Sequence, residues 1–188
     1  SQIKAITAAA TATSLFRTKI VFDILILTRG KKPRHPLFEA TLMRLTLHTD
    51  YALRLLMLLA LEPDDMHTTE EVSRRYDISR NHLNKVAQTL AQNGFIESQR
   101  GRGGGMRLAK TAPEINLGRV VRATEDNFHI VECFCRETNT CLVASVCGLR
   151  DPLEEALVSF LAVLDRYSLA DLIKNPGASR RMRRLLGA

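Results

Sequence analysis

Tryptophan is absent from the 188 residues, and aromatics make up only 5 % of them. Their scarcity beside abundant Leu and Ala argues against a sandwich and for helices packed on helices, a mainly α protein. Long apolar runs are missing too. The longest near the start, Ile20 to Leu27, contains Asp23 and falls far short of the roughly 20 residues a membrane span requires. A basic, then apolar, then small-residue order of the kind that marks a secretory leader is also lacking, so a cytoplasmic location without membrane association is expected. Catalytic signatures are wanting as well. His48, His67, His82 and His129 form no pairing motif with a nucleophile, and the triple glycine lacks the Lys-Ser/Thr of a phosphate cradle, so no enzyme is expected.

What is present is 45 % hydrophobic residues, enough for one compact core with extensions, and a net charge of +7. The charge is concentrated at the ends. Seven Lys/Arg fall in residues 1–42 against Asp23 and Glu39, and five fall in 174–188 against no acid, while the body between is slightly acidic. Global charge is therefore weak support for a polyanionic partner, and the placement of the body's basic residues decides the question. Residues 1–42 show no sustained periodicity and read as a non-native or disordered extension, with Met43 the natural start; 174–188 read as a disordered basic tail.

From residue 43 the pattern is sharper. Thr49 precedes a run of strong helix formers ending before Glu62-Pro63, apolar on most sides, which predicts a central core helix. Thr68 and Glu71 are spaced as a capping box for a second helix reaching Tyr76. After the short turn Asp77-Ile78-Ser79, Ser79 caps a third helix to about Asn93, with Leu83, Val86, Ala87 and Leu90 at helical spacing and Gly94 as its stop. Two amphipathic helices across a short turn, at about 70–93, form a helix-turn-helix. Phe95 to Arg100, the loop Gly101-Arg102-Gly103-Gly104-Gly105 and the returning Met106 to Ala109 then predict a two-stranded wing at about 95–109. A winged helix-turn-helix domain over 43–130 is the expected fold.

The start of the third helix presents Ser79, Arg80, Asn81, His82, Asn84 and Lys85. Arg pairs with guanine, Asn with adenine, and Ser or Lys with phosphates, so these are the expected reading residues for double-stranded operator DNA. Arg100 and Arg102 flank the wing loop, and Gly103 lets backbone approach the duplex closely. Further on, Asp151-Pro152 opens a long amphipathic helix with Leu153, Leu157, Phe160, Leu161 and Leu164 on one face. Its self-complementary partner is the same helix of a second copy, so residues 150–173 are expected to dimerise the protein and to match two-fold operator DNA.

All four cysteines fall between Cys133 and Cys147. Without a secretion signal a disulfide framework is disfavoured, leaving zinc, an iron-sulfur cluster or a thiol switch. Zinc sites use pairs two to four residues apart, which Cys135-x5-Cys141-x5-Cys147 does not match well, whereas soft thiolates on a pliable loop suit iron and sulfur. Leu45 to Arg54, Gly101 to Gly105, the cysteine spacing and Cys147-Gly148-Leu149 before the long helix together resemble the winged-helix iron-sulfur regulators of the IscR and NsrR type, over 43 to about 175. Glu132-Cys133-Phe134, Thr138-Asn139-Thr140-Cys141, and Arg150 where the IscR type has a His, place the resemblance nearest the nitric-oxide-sensing NsrR branch.

That resemblance implies a repressor whose cluster, 2Fe-2S or 4Fe-4S, sits in a loop at 131–149 on Cys135, Cys141 and Cys147. Cys133 is then a neighbouring free thiol, and Asp50, from the same or the opposite subunit, is the implied fourth ligand. It further implies that nitrosylation releases the dimer from DNA and derepresses nitric-oxide detoxification genes. A cluster-status or redox regulator of the IscR type, and a DNA-binding protein with a structural zinc, are the alternatives.

Overall fold

A computed structural model describes residues 44–99, 101 and 103–187. The extension at 1–42 and both wing arginines, Arg100 and Arg102, lie outside the described residues. The elements run α1 (Leu47–Leu61), α2 (Thr69–Tyr76), α3 (Arg80–Gln92), β1 (Ile96–Gln99), β2 (Gly105–Leu108), α4 (Leu117–Thr124), α5 (Arg150–Leu164), α6 (Leu169–Ile173) and α7 (Pro176–Leu185). The mainly helical class and the two-stranded antiparallel wing are as expected.

Helix α1 is the axis of the core. Leu55, Leu56, Leu58, Leu59 and Leu61 are buried, and Val72 of α2, Leu83, Val86 and Leu90 of α3, Val120 of α4 and Leu169 of α6 pack around them or beside them. The helix begins earlier than its sequence suggests. Thr46, not Thr49, is the N-cap: its hydroxyl accepts the Thr49 amide at 3.3 Å, while Thr49 is fully buried and donates its own hydroxyl to Thr124. A threonine spent on an interhelical bond cannot also cap.

Thr68 caps α2 by accepting the Glu71 amide, but Glu71 does not complete the reciprocal half of the box; its carboxylate is taken by Arg75 at 2.6 Å. Asp77 ends α2 in the left-handed region at φ 53°, and buried Ile78 anchors the turn into α3. At the far end of α3, Gly94 (φ 68°) and Phe95 return their amides to Ala91 and Leu90 at 3.0 Å each, a complete Schellman motif that aims the chain into the wing.

In the wing, Ile96 faces Leu108 and Gln99 faces Gly105. His67 adds a single-residue rung on the other side of β2: its amide donates to the Met106 carbonyl at 3.0 Å and its carbonyl accepts the Met106 amide at 2.8 Å. That rung requires glycine next to it, because a Cβ on Gly105 would lie 2.9 Å from the His67 backbone.

The C-terminal stretch corrects the expectation of a disordered tail. Asn175 caps α7 through the Gly177 and Ala178 amides, the Ser179 hydroxyl donates to the Ile173 carbonyl at 2.7 Å, and Arg183 donates from Nε and Nη2 to the Leu61 carbonyl at 3.0 and 2.5 Å. The basic composition conceals a helix that closes the open C-terminal end of α1.

Candidate nucleic-acid interface and cysteine loop

The candidate recognition face follows from how α3 is gripped. Leu83, Val86 and Leu90 are fully buried, which turns the remaining positions outward. Ser79, Arg80, Asn81, His82, Asn84 and Lys85 are all exposed, and among the described residues Arg80 makes only a loose 3.7 Å pairing with Glu70. Ser79 occupies the N-cap position without a side-chain capping bond, so its hydroxyl is free for another acceptor or donor. His82 sits differently from its neighbours. Its ring packs against Tyr51 of α1 with centroids 6.2 Å apart, on the rim of a shallow hollow with Leu47, His48, Lys85 and Val86. Of the wing residues, Gly103 is exposed at φ 77°, with open space around its Cα.

Asp50 stands in the first turn of α1, where its charge suits the helix dipole. Its carboxylate is already engaged by Arg54, Oδ2 at 2.6 Å from Nη2 and Oδ1 at 3.1 Å from Nε, with both side chains about two-fifths exposed.

The cysteine segment carries little regular structure beyond one 3₁₀ turn, Glu132–Phe134. All four thiols are free; Cys133 and Cys135 are half-buried, and Cys141 and Cys147 exposed. Glu132 stitches the loop by accepting the hydroxyl and amide of Thr140 at 2.6 and 2.5 Å, which holds its carboxyl below the ordinary range and ties the residue before Cys133 to the residue before Cys141. Cys135 Sγ contacts Glu137 Oε2 at 3.2 Å. The structure does not bring the sequence-predicted ligands into one shell: among the described residues no set of three His, Cys, Asp or Glu ligand atoms lying within 4.8 Å of one another includes Cys135, Cys141, Cys147 or Asp50. The loop's apolar residues are outward, Leu142 at 98 % and Val146 at 84 % exposure, and none of the fifteen residues of α5 is buried.

One residue that sequence reasoning passed over is His67, the wing-root rung, which is buried between Glu62 and Glu71. No motif flagged it, since its partners lie five residues before and four after it and come together through the turn joining α1 to α2.

Similarity to known proteins bears on this arrangement. The sequence model of the Rrf2 family, described as iron-dependent transcriptional regulators, matches residues 45–175. The HTH-type transcriptional regulator NsrR of Bacillus subtilis is 52 % identical over 134 residues, covering 71 % of this chain and 92 % of its own. The NsrR of Halalkalibacterium halodurans is equally similar, with the same identity and coverage. Among solved structures, T. potens IscR matches with a TM-score of 0.54 at 23 % identity over 70 % of this chain and 87 % of its own. The global cysteine regulator CymR of B. subtilis matches with the same score at 22 % identity, over 71 % and 98 %. These likenesses bear out the winged-helix fold and the resemblance to NsrR.

Proposed function

The chain belongs to the Rrf2 family of iron-dependent transcriptional regulators, and from that we propose that it is a homodimeric repressor that holds an iron-sulfur cluster on its cysteine loop and releases operator DNA when nitric oxide attacks that cluster. It is a DNA-binding regulator, not an enzyme. The observation that carries the sensory half is the placement of four free, solvent-accessible thiols directly before α5 on a winged-helix body. Three soft thiolates suit iron and sulfide, and the loop that bears them has little regular structure to resist closing around such a group.

In this reading Cys135, Cys141 and Cys147 hold the cluster, and Asp50 supplies an oxygen ligand after exchanging Arg54 for iron. Recruiting Cys135 breaks its contact with Glu137, whereas Cys133 has no such contact among the described residues; Cys133→Ser and Cys135→Ser therefore decide which thiol of that limb is used. A bound cluster supplies iron reactive toward nitric oxide. The protein's own contribution is to couple the loop's shape to the spacing of two recognition helices. Ser79, Arg80, Asn81, His82, Asn84 and Lys85 read the major groove, and Arg100, Arg102 and Gly103 of the wing approach the backbone or minor groove. Exposed α5 and the apolar face of the loop meet a second copy, giving the two-fold that such operators require. A tenfold change in operator affinity needs only about 1.4 kcal/mol of coupling.

The test is an anaerobic nitric-oxide titration of cluster-loaded protein, reading visible absorption and operator anisotropy in one cuvette. Parallel loss of the cluster bands and of DNA binding is expected. Bleaching with DNA still bound rules out nitric oxide as the signal, and a colourless protein that retains zinc rules out the cluster.

A further inference from the structure

The root of the wing carries a group of ligand-type side chains that neither DNA binding nor the cysteine loop uses. Glu62 C-caps α1, and its carbonyl accepts the Asp65 amide at 3.3 Å, a turn that folds Asp65 back over Glu62. Two residues later His67 enters the core with only 3 % of its side chain exposed. One ligand atom each from Glu62, Asp65 and His67 lie within 4.8 Å of one another.

Within this group the imidazole is left with an unanswered atom. His67 Nδ1 reaches Glu71 Oε1 at 3.4 Å. Nε2 lies 3.2 Å from Glu62 Oε2 without forming a hydrogen bond, and among the described residues this buried ring nitrogen has no hydrogen-bond partner. A buried nitrogen left unmet in this way is costly, and a ligand that meets it is favoured. Beside the imidazole itself, which lies between Glu62 and Glu71, the described residues bring one fixed cation to this group of carboxylates. Arg75 pairs with Glu62 at 2.9 Å and Glu71 at 2.6 Å, one guanidinium against two carboxylates, and Asp65 brings a third.

We propose that Glu62, Asp65 and His67 bind a divalent transition cation of the zinc type. An imidazole nitrogen with two carboxylate oxygens suits zinc better than calcium or magnesium, which favour all-oxygen shells. Bonds of about 2.0–2.2 Å to a tetrahedral zinc put ligand atoms roughly 3.3–3.6 Å apart. The Nε2 to Oε2 separation of 3.2 Å is already close to that range, and Asp65, on an exposed turn, is the ligand that moves in. Arg75 stays on the carboxylate of Glu62 as the partner that orients it. Because the His67 backbone bridges to Met106 of β2, a cation here ties the end of α1 to β2.

Calorimetry with ZnCl2 on the full chain tests this, after anaerobic removal of any cluster and alkylation of the cysteines. With the thiols blocked, the outcome is independent of whether the loop holds iron. One saturable equivalent of zinc per chain is expected, weakened at least tenfold by Asp65→Asn and by His67→Gln. Asp65→Asn is the decisive variant because it sits in an exposed turn and leaves the core intact. Absence of a saturable equivalent, or a loss below tenfold in either variant, overturns the site.

Discussion

Gly105→Ala isolates the wing-root rung. The new Cβ would meet the His67 nitrogen and oxygen at 2.9 Å and its carbonyl carbon at 3.0 Å, all backbone atoms that cannot swing aside. The strand must therefore withdraw, and the pair of hydrogen bonds between His67 and Met106, at 3.0 and 2.8 Å, is the first casualty. At about 1 kcal/mol net for each bond the expected loss is about 2 kcal/mol. For a domain of this size that lowers Tm by roughly 4–8 °C. Differential scanning fluorimetry of the apo-protein gives the number, and a urea melt checks that the slope is unchanged. Gly148→Ala is the control, since it has ordinary φ and nothing within 4 Å. A Gly105→Ala protein that melts with Gly148→Ala and wild type would refute the reasoning, because it would mean that β2 does not depend on the rung.

Three further outcomes follow from the same geometry. Lys85→Ala removes one exposed cation from the proposed groove face, and the slope of log Kd against log salt for operator binding should fall by about 1, with little change in sequence preference. Leu83→Ala, at a fully buried site under that face, should cost about 2–5 kcal/mol in a chemical melt. Asp171 and Asp165 are held below the ordinary carboxylate range, Asp171 first by the Ser168 amide and Asp165 first by the Arg122 guanidinium. Folded values below the unfolded ones mean that both contribute stability above the unfolded carboxylate pKa, lost as pH falls through the folded ones. Acid unfolding of Asp171→Asn should accordingly be less steep than that of wild type.

Much of this was legible in the sequence, and the failures have physical causes. Periodicity located α3 because its apolar stripe is regular, and turn chemistry located the wing because only glycine tolerates the loop and the close rung. Helix α1 starts three residues before the sequence expectation, because the Thr49 to Thr124 bond, which joins residues 75 apart, takes Thr49 out of the capping role. Helix α7 was missed because its packing rests on Arg183 reaching the Leu61 carbonyl, a contact 122 residues away in sequence. The carboxylate and imidazole cluster at His67 left no local trace for the same reason: its atoms are gathered by a turn and a strand pairing, and neither has a motif. The cysteine ligands were visible by type and number, yet the four free thiols in the chain by itself do not show which three converge.

The contact chain from the end of α5 to the exposed face of α3 makes one more consequence testable. Following the loop, α5 ends at Asp165, which pairs with Arg122 of α4 at 2.6 and 2.7 Å. At the end of α4, Thr124 accepts the Thr49 hydroxyl at 2.9 Å and donates to the Val120 carbonyl at 2.9 Å, while Glu125 accepts the Thr46 amide at 2.8 Å. From there His48 Nε2 meets Thr89 Oγ1 of α3 at 3.1 Å, and Tyr51 meets His82. Thr124→Val keeps the shape of the side chain but removes the buried acceptor for Thr49, at a cost of about 1–3 kcal/mol. If this hydroxyl relay links the two sites, the ratio of operator affinities before and after nitric-oxide treatment should shrink in the variant, beyond any uniform weakening. A variant that is destabilised as expected but keeps the full ratio would show that the signal bypasses α4, leaving the contacts of α5 with the proposed second copy as its route.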